Sequence, residues 1–485
     1  MIFVPEPYGF FVPEPYDWSG RLPRQFTLGP RNPLGNGRRR LPRSPGHCPG
    51  RGLRCRKMIY RLGLTLAGPS RAGGRSMGQD SVTVSYAAGW DAGARRACGP
   101  LTRAEVEERD RAGDPYVVLH RVPGRAVPAE VHLVAWRDHF VGQFAYDERG
   151  RRTCDVDLRL LDGDRLFLRR FVERRYASPE QPDLAPDAWR LTVELLPGYA
   201  GRKVLEERGD HGGSFHTPAD VPEERRWHDR GGFGVRAAGP SGPPDGPEPG
   251  AATAQEGALA DVEEPASLWR PPKPLHMELP VNDLFQPGNP FPVEPWEGTV
   301  TAAPRHIAMV RIPSGRLAVS DPLDNKPREL AERIPPGEYA LDTAVIVGEG
   351  EYGGERFPVT EEPAVRLLIR DEPAVAWELA LSEGEDPRLL LDGHAYGFGT
   401  DGAAGSFADA AAWDVLSDRV RHFSAEDDDD GGCESLGDGH VRAVDEATGS
   451  DLVSFCTGGD GTWPVWLGRS AAGELVSVVV ITSYL

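Results

Sequence analysis

The stretch from Asp155 to Phe171, DVDLRLLDGDRLFLRRF, decides the fold class of this chain. Val156, Leu158 and Leu160 alternate with charged residues, as in a strand that buries one face and leaves the other in water. The turn sequence LDGD follows and leads into a second apolar run. Half-buried strands in series with such turns predict an antiparallel sheet or sandwich, because strands of a parallel sheet are usually buried on both faces.

The same pattern recurs on both sides of this stretch. In the N-terminal half it predicts strands at 131–136, 139–146, 155–161, 164–172 and 189–196. In the C-terminal half it predicts strands at 308–312, 316–320, 338–347, 364–370, 374–381, 451–457 and 474–482. The fold class that follows is mainly β, with two antiparallel, β-rich, sandwich-like domains and a few short helices.

Two helices are expected among these strands. Thr102 and Glu105 form a capping-box pattern, which predicts a helix that ends near Gly113. A second helix is predicted from Ser406 to about Leu416.

Composition divides the chain into four regions. Residues 1–76 form a basic, proline-rich tail that repeats the hexapeptide FVPEPY and is expected to be disordered. An alternative for this tail is an overextended gene start, with Met77 as the initiator. Residues 77–237 are predicted to form a β-rich domain, 238–268 a disordered Gly/Pro-rich linker, and 269–485 a second β-rich domain.

Charge is distributed unevenly along the chain. The whole sequence has 55 Lys/Arg and 74 Asp/Glu, a formal net charge of -19. The tail holds 14 Lys/Arg and 3 Asp/Glu. The rest of the chain therefore holds 41 Lys/Arg and 71 Asp/Glu, a net charge of -30. We call the residues beyond 76 the body of the chain. Its strong negative charge repels phosphate backbones and anionic lipids and favours a basic protein partner. Nucleic-acid binding by the body is therefore disfavoured, and a basic arm around Arg38 that grips nucleic acid is the alternative for the tail.

Cysteine spacing and hydropathy bear on the compartment. The six cysteines lie far apart, without a Cys-x-x-Cys pair or a dense disulfide framework, which favours a reducing cytoplasm. No run approaches the ~20 apolar residues that span a bilayer, so no membrane partner is expected. The best signal-peptide candidate, Leu62 to Gly68, has an apolar stretch at the short limit.

Five motifs occur in order in the C-terminal part of the chain. They are SGRLAVSDPL (314–323), IPPGEYAL (334–341), WELAL (377–381), YGFGTDGAAGSFAD (396–409) and VSFCTGGDGTWPVWLG (453–468). With these motifs, this part resembles the bacterial domain of unknown function family 4241. That family has no established activity, so the resemblance implies where the domain lies and leaves its chemistry open.

Two positions depart from the pattern of the family. Ser406 stands where a cysteine is common, and Ile481 with Thr482 stands where the family often closes with an aspartate. If these positions form a site in relatives, the resemblance implies that this chain has lost it.

Three Gly/Asp turns in this part carry the candidate catalytic and metal residues: Asp321, Asp401 and Asp460. Loops at one end of a sandwich cluster in space, and three carboxylates can hold a divalent cation or divide general acid and base roles. The alternative is three independent turns, because an aspartate beside Gly or Pro bonds the backbone two residues on. Apart from this cluster, no metal site is expected.

Trp463, Trp377 and Ser406 are the candidate ligand-binding residues. A tryptophan next to a turn can stack on a ligand, but tryptophans at strand ends are more often lids on a core. Ser406, at a predicted helix start, can be activated by backbone amides or can simply cap the helix.

Two glycine motifs, at 348–353 and 397–402, have the spacing of dinucleotide-binding loops. Acidic residues within both motifs would repel a pyrophosphate, and neither stands in a βαβ pattern. The first is predicted to be a hairpin loop and the second a tight turn that enters a helix. No cofactor is therefore expected.

Two functions stay open at this point. The first is a non-catalytic, acidic protein-binding module of the cytoplasm, of an immunity-like kind, which rests on the charge of the body and on the lack of a complete catalytic motif. The second is a hydrolase or small-ligand-binding enzyme that uses Asp321, Asp401 and Asp460, with or without a divalent cation. The sequence favours the first, leaves enzymatic activity undecided and does not indicate an oligomeric state.

Overall fold

Strands pair antiparallel throughout the part of the chain that the structure describes. The computed structural model describes residues 82–199, 201–207, 213–231, 267–292, 297–324, 326–352, 354–425 and 432–482. Within these ranges, three sheets hold the strands, and α-helices are few and short. The predicted mainly-β, antiparallel fold class is confirmed. None of the described helices has the length and apolar character needed to traverse a bilayer.

The N-terminal half forms one sheet of eleven strands. They are β1 (Thr83–Asp91), β2 (Arg96–Leu101), β3 (Tyr116–Arg121), β4 (Glu130–Ala135), β5 (Phe140–Tyr146), β6 (Arg152–Leu160), β7 (Arg165–Arg175), β8 (Trp189–Glu194), β9 (Gly201–Glu207), β10 (Gly213–Ala219) and β11 (Trp227–Asp229). Hydrogen bonding follows the order β10-β9-β8-β7-β6-β5-β4-β3-β1-β2, with β11 on β7. From β3 to β10 each strand pairs with its successor, so this part is an up-and-down meander.

The stretch from Asp155 to Phe171 forms most of β6, a tight turn and the first part of β7. Val156 lies opposite Phe171 across the two strands, and both side chains are buried. Gly163 and Asp164 have φ angles of 63° and 62°, the left-handed conformation that glycine and aspartate tolerate best. The predicted turn is confirmed, and it reverses the chain so that the apolar residues of both strands share one face.

A single helix, α1 (Arg103–Ala112), lies between β2 and β3. The predicted capping box is present: Thr102 Oγ1 accepts from Glu105 N at 3.3 Å, and Glu105 Oε2 accepts from Thr102 N at 2.6 Å. Gly113 ends the helix in the left-handed conformation with φ of 81°, as the sequence predicts. Val106 is fully buried and fixes the helix against one face of the sheet.

The opposite face of this sheet is covered by the chain that begins at Ser267. Trp269 N donates to Trp90 O at 2.8 Å, and the Trp269 ring stacks on Phe144 with centroids 3.6 Å apart. Gly142 makes room for this ring, because a Cβ there would lie 2.3 Å from the Trp269 side chain. Any larger residue at this position would displace the tryptophan.

The predicted tail, 1–76, lies outside the described residues, as does Met77. The predicted linker does so too, except for Ser267 and Leu268, of which Leu268 bridges to the end of β1. The predicted domain boundaries stay predictions.

The described part of the C-terminal half contains two sheets and two α-helices. The helices are α2 (Val281–Leu284) and α3 (Trp413–Ala425). The strands are β12 (Pro290–Pro292), β13 (Glu297–Ala302), β14 (Arg305–Ile312), β15 (Arg316–Ser320), β16 (Glu329–Arg333), β17 (Gly337–Tyr352), β18 (Glu355–Leu368), β19 (Ala376–Leu379), β20 (Gly397–Thr400), β21 (Ala404–Asp409), β22 (Cys433–Gly437), β23 (His440–Asp445), β24 (Ser450–Cys456), β25 (Gly461–Arg469) and β26 (Leu475–Ile481).

These strands form a nine-stranded and a six-stranded sheet. The first has the order β12-β13-β17-β18-β26-β25-β19, with β14 on β17 and β20 on β25. The second has the order β16-β15-β21-β24-β23-β22. Val310, Leu367 and Val480 of the first sheet and Phe407 and Phe455 of the second belong to one buried core. The C-terminal half is therefore a sandwich with its apolar side chains between the sheets.

The prediction for α3 was wrong at its start. Ser406 lies in the middle of β21, and α3 begins at Trp413 after a 3-10 turn at Ala410–Ala412. Asp409 caps that turn, since its side chain accepts from a backbone amide within it. The alanine-rich sequence favours a helix, but pairing with β15 and β24 holds residues 404–409 as a central strand. Tertiary pairing outweighs local propensity here.

The two glycine motifs lie in different settings. Residues 348–352 of the first motif form the end of β17, which pairs with β18 up to Tyr352 opposite Glu355, so the predicted hairpin is confirmed; Gly353 lies outside the described residues. The motif at 397–402 forms β20 and the turn that follows it. That turn enters strand β21 and not the predicted helix.

Candidate functional site

Asp321 follows β15 directly and is buried, with 5% of its surface exposed. Its Oδ1 accepts from Leu323 N at 2.8 Å, which is the aspartate turn that the sequence offers as one alternative. Its Oδ2 accepts from Thr400 Oγ1 at 2.7 Å, across to the end of β20. Asp321 therefore ties two turns together and does not serve only its own.

Thr400 organises the turn that contains Asp401. Its hydroxyl oxygen accepts from Gly402 N at 3.2 Å and from Ala404 N at 3.1 Å. Within this turn Ala403 has φ of 50°, and its amide donates to Asp460 Oδ1 at 3.2 Å. The third acidic turn is thus bonded to the second, and all three predicted turns lie at one place in the sandwich.

Exposed carboxylates crowd this place. Asp401 and Asp460 are exposed, and so is Asp324, which the sequence did not single out. Although Asp324 is exposed as a residue, its carboxyl group is partly shielded from water, and this partial burial raises its pKa above the ordinary value. The negative charges of Asp321 and Asp401 raise the pKa further. We call Leu323, Asp324, Asp401 and Asp460 the acidic turn surface; Leu323 is its apolar member, with 45% of its surface exposed.

The three predicted aspartates do not form a ready metal site. In the described ranges, a set of three His, Cys, Asp or Glu side chains whose ligand atoms all lie within 4.8 Å of one another occurs once, and it consists of His120, Glu130 and His132.

The other predicted residues have structural surroundings. Ser406 is fully buried, and its hydroxyl donates to Ser320 O at 2.8 Å between two strands, so it is not the predicted helix cap. Trp463 is 5% exposed and belongs to the core of the sandwich, and its Nε1 donates to Gly459 O at 3.2 Å. Trp377 packs against a second core on the outer side of the nine-stranded sheet. A ligand-binding role of these residues stays a prediction.

A buried histidine was missed by sequence reasoning. His440 begins β23 and is 2% exposed. Its Nδ1 lies 3.2 Å from Ser454 O. Its Nε2 lies 3.2 Å from Glu362 Oε2, close enough for an ion pair although not aligned as a hydrogen bond. Oxygen atoms therefore lie within 3.2 Å of both ring nitrogens.

The carboxylate of Glu362 is held from several sides. Arg305 Nη2 donates to its Oε1 at 2.8 Å, and Thr343 Oγ1 donates to its Oε2 at 3.3 Å. Contact with His440 lowers the pKa of Glu362, and the charge of Arg305 lowers it further. We call His440, Glu362, Arg305 and Thr343 the closed cluster. Glu362 and His440 are far apart in the sequence, and no motif connects them, so only strand pairing reveals the contact.

The comparisons with known proteins concern the C-terminal half. Residues 310–480 match the family model described as "Protein of unknown function (DUF4241)". The resemblance inferred from the five motifs is thereby confirmed for this part of the chain. The DUF4241 region contains the acidic turn surface and, apart from Arg305, the closed cluster. No curated protein and no solved structure matches the chain.

Proposed function

We propose that the protein is a non-catalytic binding module of the bacterial cytoplasm whose acidic turn surface engages a basic protein. One observation carries this proposal: three turns that are far apart in the sequence converge so that Asp324, Asp401 and Asp460 share one surface with the exposed side chain of Leu323. A cationic partner with apolar residues complements such a surface in both charge and hydropathy.

Electrostatics supports a cationic partner in two ways. Burial contributes most to the raised pKa of Asp324, and the negative charges of Asp321 and Asp401 raise it further; a bound ammonium or guanidinium group relieves this second, repulsive contribution. The net charge of -30 beyond the tail attracts the same partner over a longer range and speeds the encounter. A cytoplasmic location belongs to the proposal because Cys98, Cys154, Cys433 and Cys456 are free thiols.

The enzymatic alternative has weaker support. Both carboxylate oxygens of Asp321 already accept hydrogen bonds, and the hydroxyl of Ser406 donates to a backbone carbonyl within the sheet. Groups that perform catalysis need to reach a substrate, whereas Asp321 and Ser406 are 5% and 0% exposed. Asp321 fits the construction of the turns, and Ser406 fits a contact between paired strands, better than either fits catalysis.

A labelled peptide of alternating lysine and leucine tests the proposal by fluorescence anisotropy with the full chain. Binding is expected at low salt and is expected to weaken as salt rises, because exposed charges are screened beyond ~10 Å at 0.1 M salt. Replacing Asp401 and Asp460 together by asparagine is expected to raise Kd about three- to tenfold, since each exposed charge pair contributes ~0.2–1 kcal/mol.

The matched control replaces Glu223 and Glu224 by glutamine. Both residues are exposed in the N-terminal half, and the double variant loses the same amount of charge. It is expected to change Kd less than twofold. An equal loss of affinity in both double variants would reduce the effect to net charge, and a full chain that fails to bind the peptide at low salt would refute the proposal. An affinity purification at low ionic strength that returns no basic protein would also count against it.

A further inference from the structure

Two histidines and a glutamate meet on one face of the N-terminal sheet. In the pairing of β3 with β4, His120 lies opposite Glu130, and His132 follows Glu130 by two positions on the same strand. Residues that are directly opposite or two apart share a face of a sheet. The register alone therefore brings the three side chains together, on the face that α1 also covers.

The distances between their ligand atoms suit a metal ion. All three lie within 4.8 Å of one another, and Glu130 Oε2 is 3.4 Å from His132 Nε2. The two imidazole rings have centroids 4.7 Å apart. Tetrahedral zinc with nitrogen ligands at ~2.0–2.1 Å places its donor atoms about 3.3 Å apart. One edge of such a tetrahedron is already near this distance, and the other two edges are no longer than 4.8 Å.

The chemistry of the three donors narrows the choice of ion. Two imidazoles and one carboxylate suit first-row transition metals such as Zn²⁺, whereas Mg²⁺ and Ca²⁺ prefer oxygen ligands. Three protein ligands leave a fourth position for water or a substrate atom. His132 has 8% and Glu130 28% of the side chain exposed, so an ion here reaches solvent from the edge of the core.

A plain histidine–glutamate contact is the competing explanation, and the second imidazole argues against it. The ring of His120 lies beside this contact, with its centroid 4.7 Å from that of His132, and its ligand atom is within 4.8 Å of the other two. A divalent cation interacts with all three groups at once, whereas a single histidine–glutamate contact leaves the position of His120 unexplained.

We propose that His120, Glu130 and His132 bind a divalent transition-metal ion, with Zn²⁺ as the best chemical match. Cys154 lies two strands further along the same cross-strand row, about 10 Å from Glu130, so it is too distant to be a ligand. Burial raises the pKa of the Cys154 thiol to about 12, which keeps it protonated at neutral pH. This site lies outside the DUF4241 region and does not depend on the proposed protein binding.

Metal binding is tested on the full chain after treatment with a chelator, using Zn²⁺ alone in calorimetry and Co²⁺ alone in visible spectroscopy. The expected result is one strong site per chain, with a Co²⁺ spectrum typical of four or five nitrogen and oxygen ligands. Affinity is expected to fall as the pH is lowered, because protons compete with the ion for the imidazoles. A chain that takes up neither ion in a stoichiometric amount would overturn the proposal.

Three variants locate the ion. His120→Gln and Glu130→Gln alter residues that are not fully buried, and each is expected to raise Kd more than ~100-fold, beyond the loss from an outer-shell partner. The control is His306→Gln, because His306 forms a histidine–carboxylate pair with Asp342 at 3.1 Å that lacks a second imidazole. It is expected to leave Kd unchanged. Undiminished binding in both site variants, with circular dichroism as in the parent, would refute the assignment.

Discussion

The two halves of the molecule each contain a histidine beside a glutamate, and the two sites differ in what surrounds them. In the closed cluster, His440 and Glu362 are joined by Arg305 and Thr343, and the backbone of Ser454 takes the second ring nitrogen. On the N-terminal sheet, the partner of Glu130 and His132 is a second imidazole, that of His120. In the closed cluster, other groups of the protein balance the charge of Glu362. On the N-terminal sheet, three potential metal ligands lie next to one another.

This difference teaches what to read from a histidine–carboxylate contact. A cation such as Arg305 beside the carboxylate favours a structural ion pair, because the added positive charge opposes metal binding. A second neutral imidazole does the opposite, since it adds a lone pair without adding charge. The identity of the third group therefore separates a structural role from a metal-binding role, although the first two groups are the same.

Removing His440 should have the largest effect and would sharpen the comparison most. His440→Ala breaks a contact that is 2% exposed on the histidine side and also removes the ring nitrogen that lies 3.2 Å from Ser454 O. Breaking a buried pair costs ~3–5 kcal/mol, and the partial exposure of Glu362 reduces this to about 3 kcal/mol. Hydrogen exchange in β18 and β23 is the suitable measurement, because a chain of this size need not unfold in two states.

The control for that experiment is His306→Ala in the exposed pair with Asp342, which is expected to change local stability by less than ~0.5 kcal/mol. Equal exchange rates in the two variants would remove the distinction between closed and exposed pairs.

Added zinc should stabilise the strands around His120, Glu130 and His132 and not those of the closed cluster, by a somewhat smaller free energy than the loss in His440→Ala. At a free concentration of 100 times Kd, a ligand that binds only the folded state contributes ~2.7 kcal/mol. This gain is expected as slower hydrogen exchange in β3 and β4 of the parent and of His440→Gln, and it is expected to vanish in His120→Gln. Zinc protection of β18 and β23 that depends on His440 would mean that the clusters had been assigned the wrong way round.

The strands were predictable where one face is exposed to solvent and the other is buried, because apolar and polar residues then alternate. β15 was predicted with the bounds it has, Arg316–Ser320, and β5 and β6 were predicted with small shifts at their ends. β1 was not among the predicted strands, because Ala87-Ala88-Gly89 in its middle gives no alternation. The start of α3 was predicted wrongly, because the alanines around Ser406 carry helical propensity while the pairing of β21 with two other strands is not visible locally.

The two sites differ in predictability for a related reason. Asp321, Asp401 and Asp460 stood out because Gly/Asp turns have a local signature, and turns at one end of a sandwich meet. His120, Glu130 and His132 have none, since their contact depends on the register of β3 against β4. A shift of one residue would send His120 to the other face of the sheet. Sequence alone cannot fix such a register, and the pairing is what reveals the ligands.

The smallest expected effect concerns pH. The two clusters should lose their contributions to stability at different pH values. The pKa of Glu362 is lowered in the folded protein, so its charged form stabilises the fold above the ordinary value of 4.5. That contribution is lost as pH falls through the lowered value. As pH falls below 4.5 the parent should therefore lose more stability than Glu362→Gln, measured by hydrogen exchange in β18. The zinc-dependent protection of β3 and β4 should disappear at a higher pH than this, because protons compete with the ion for two imidazoles. Coincident loss of both signals at one pH would show that the two sites titrate as one and that the comparison between them is mistaken.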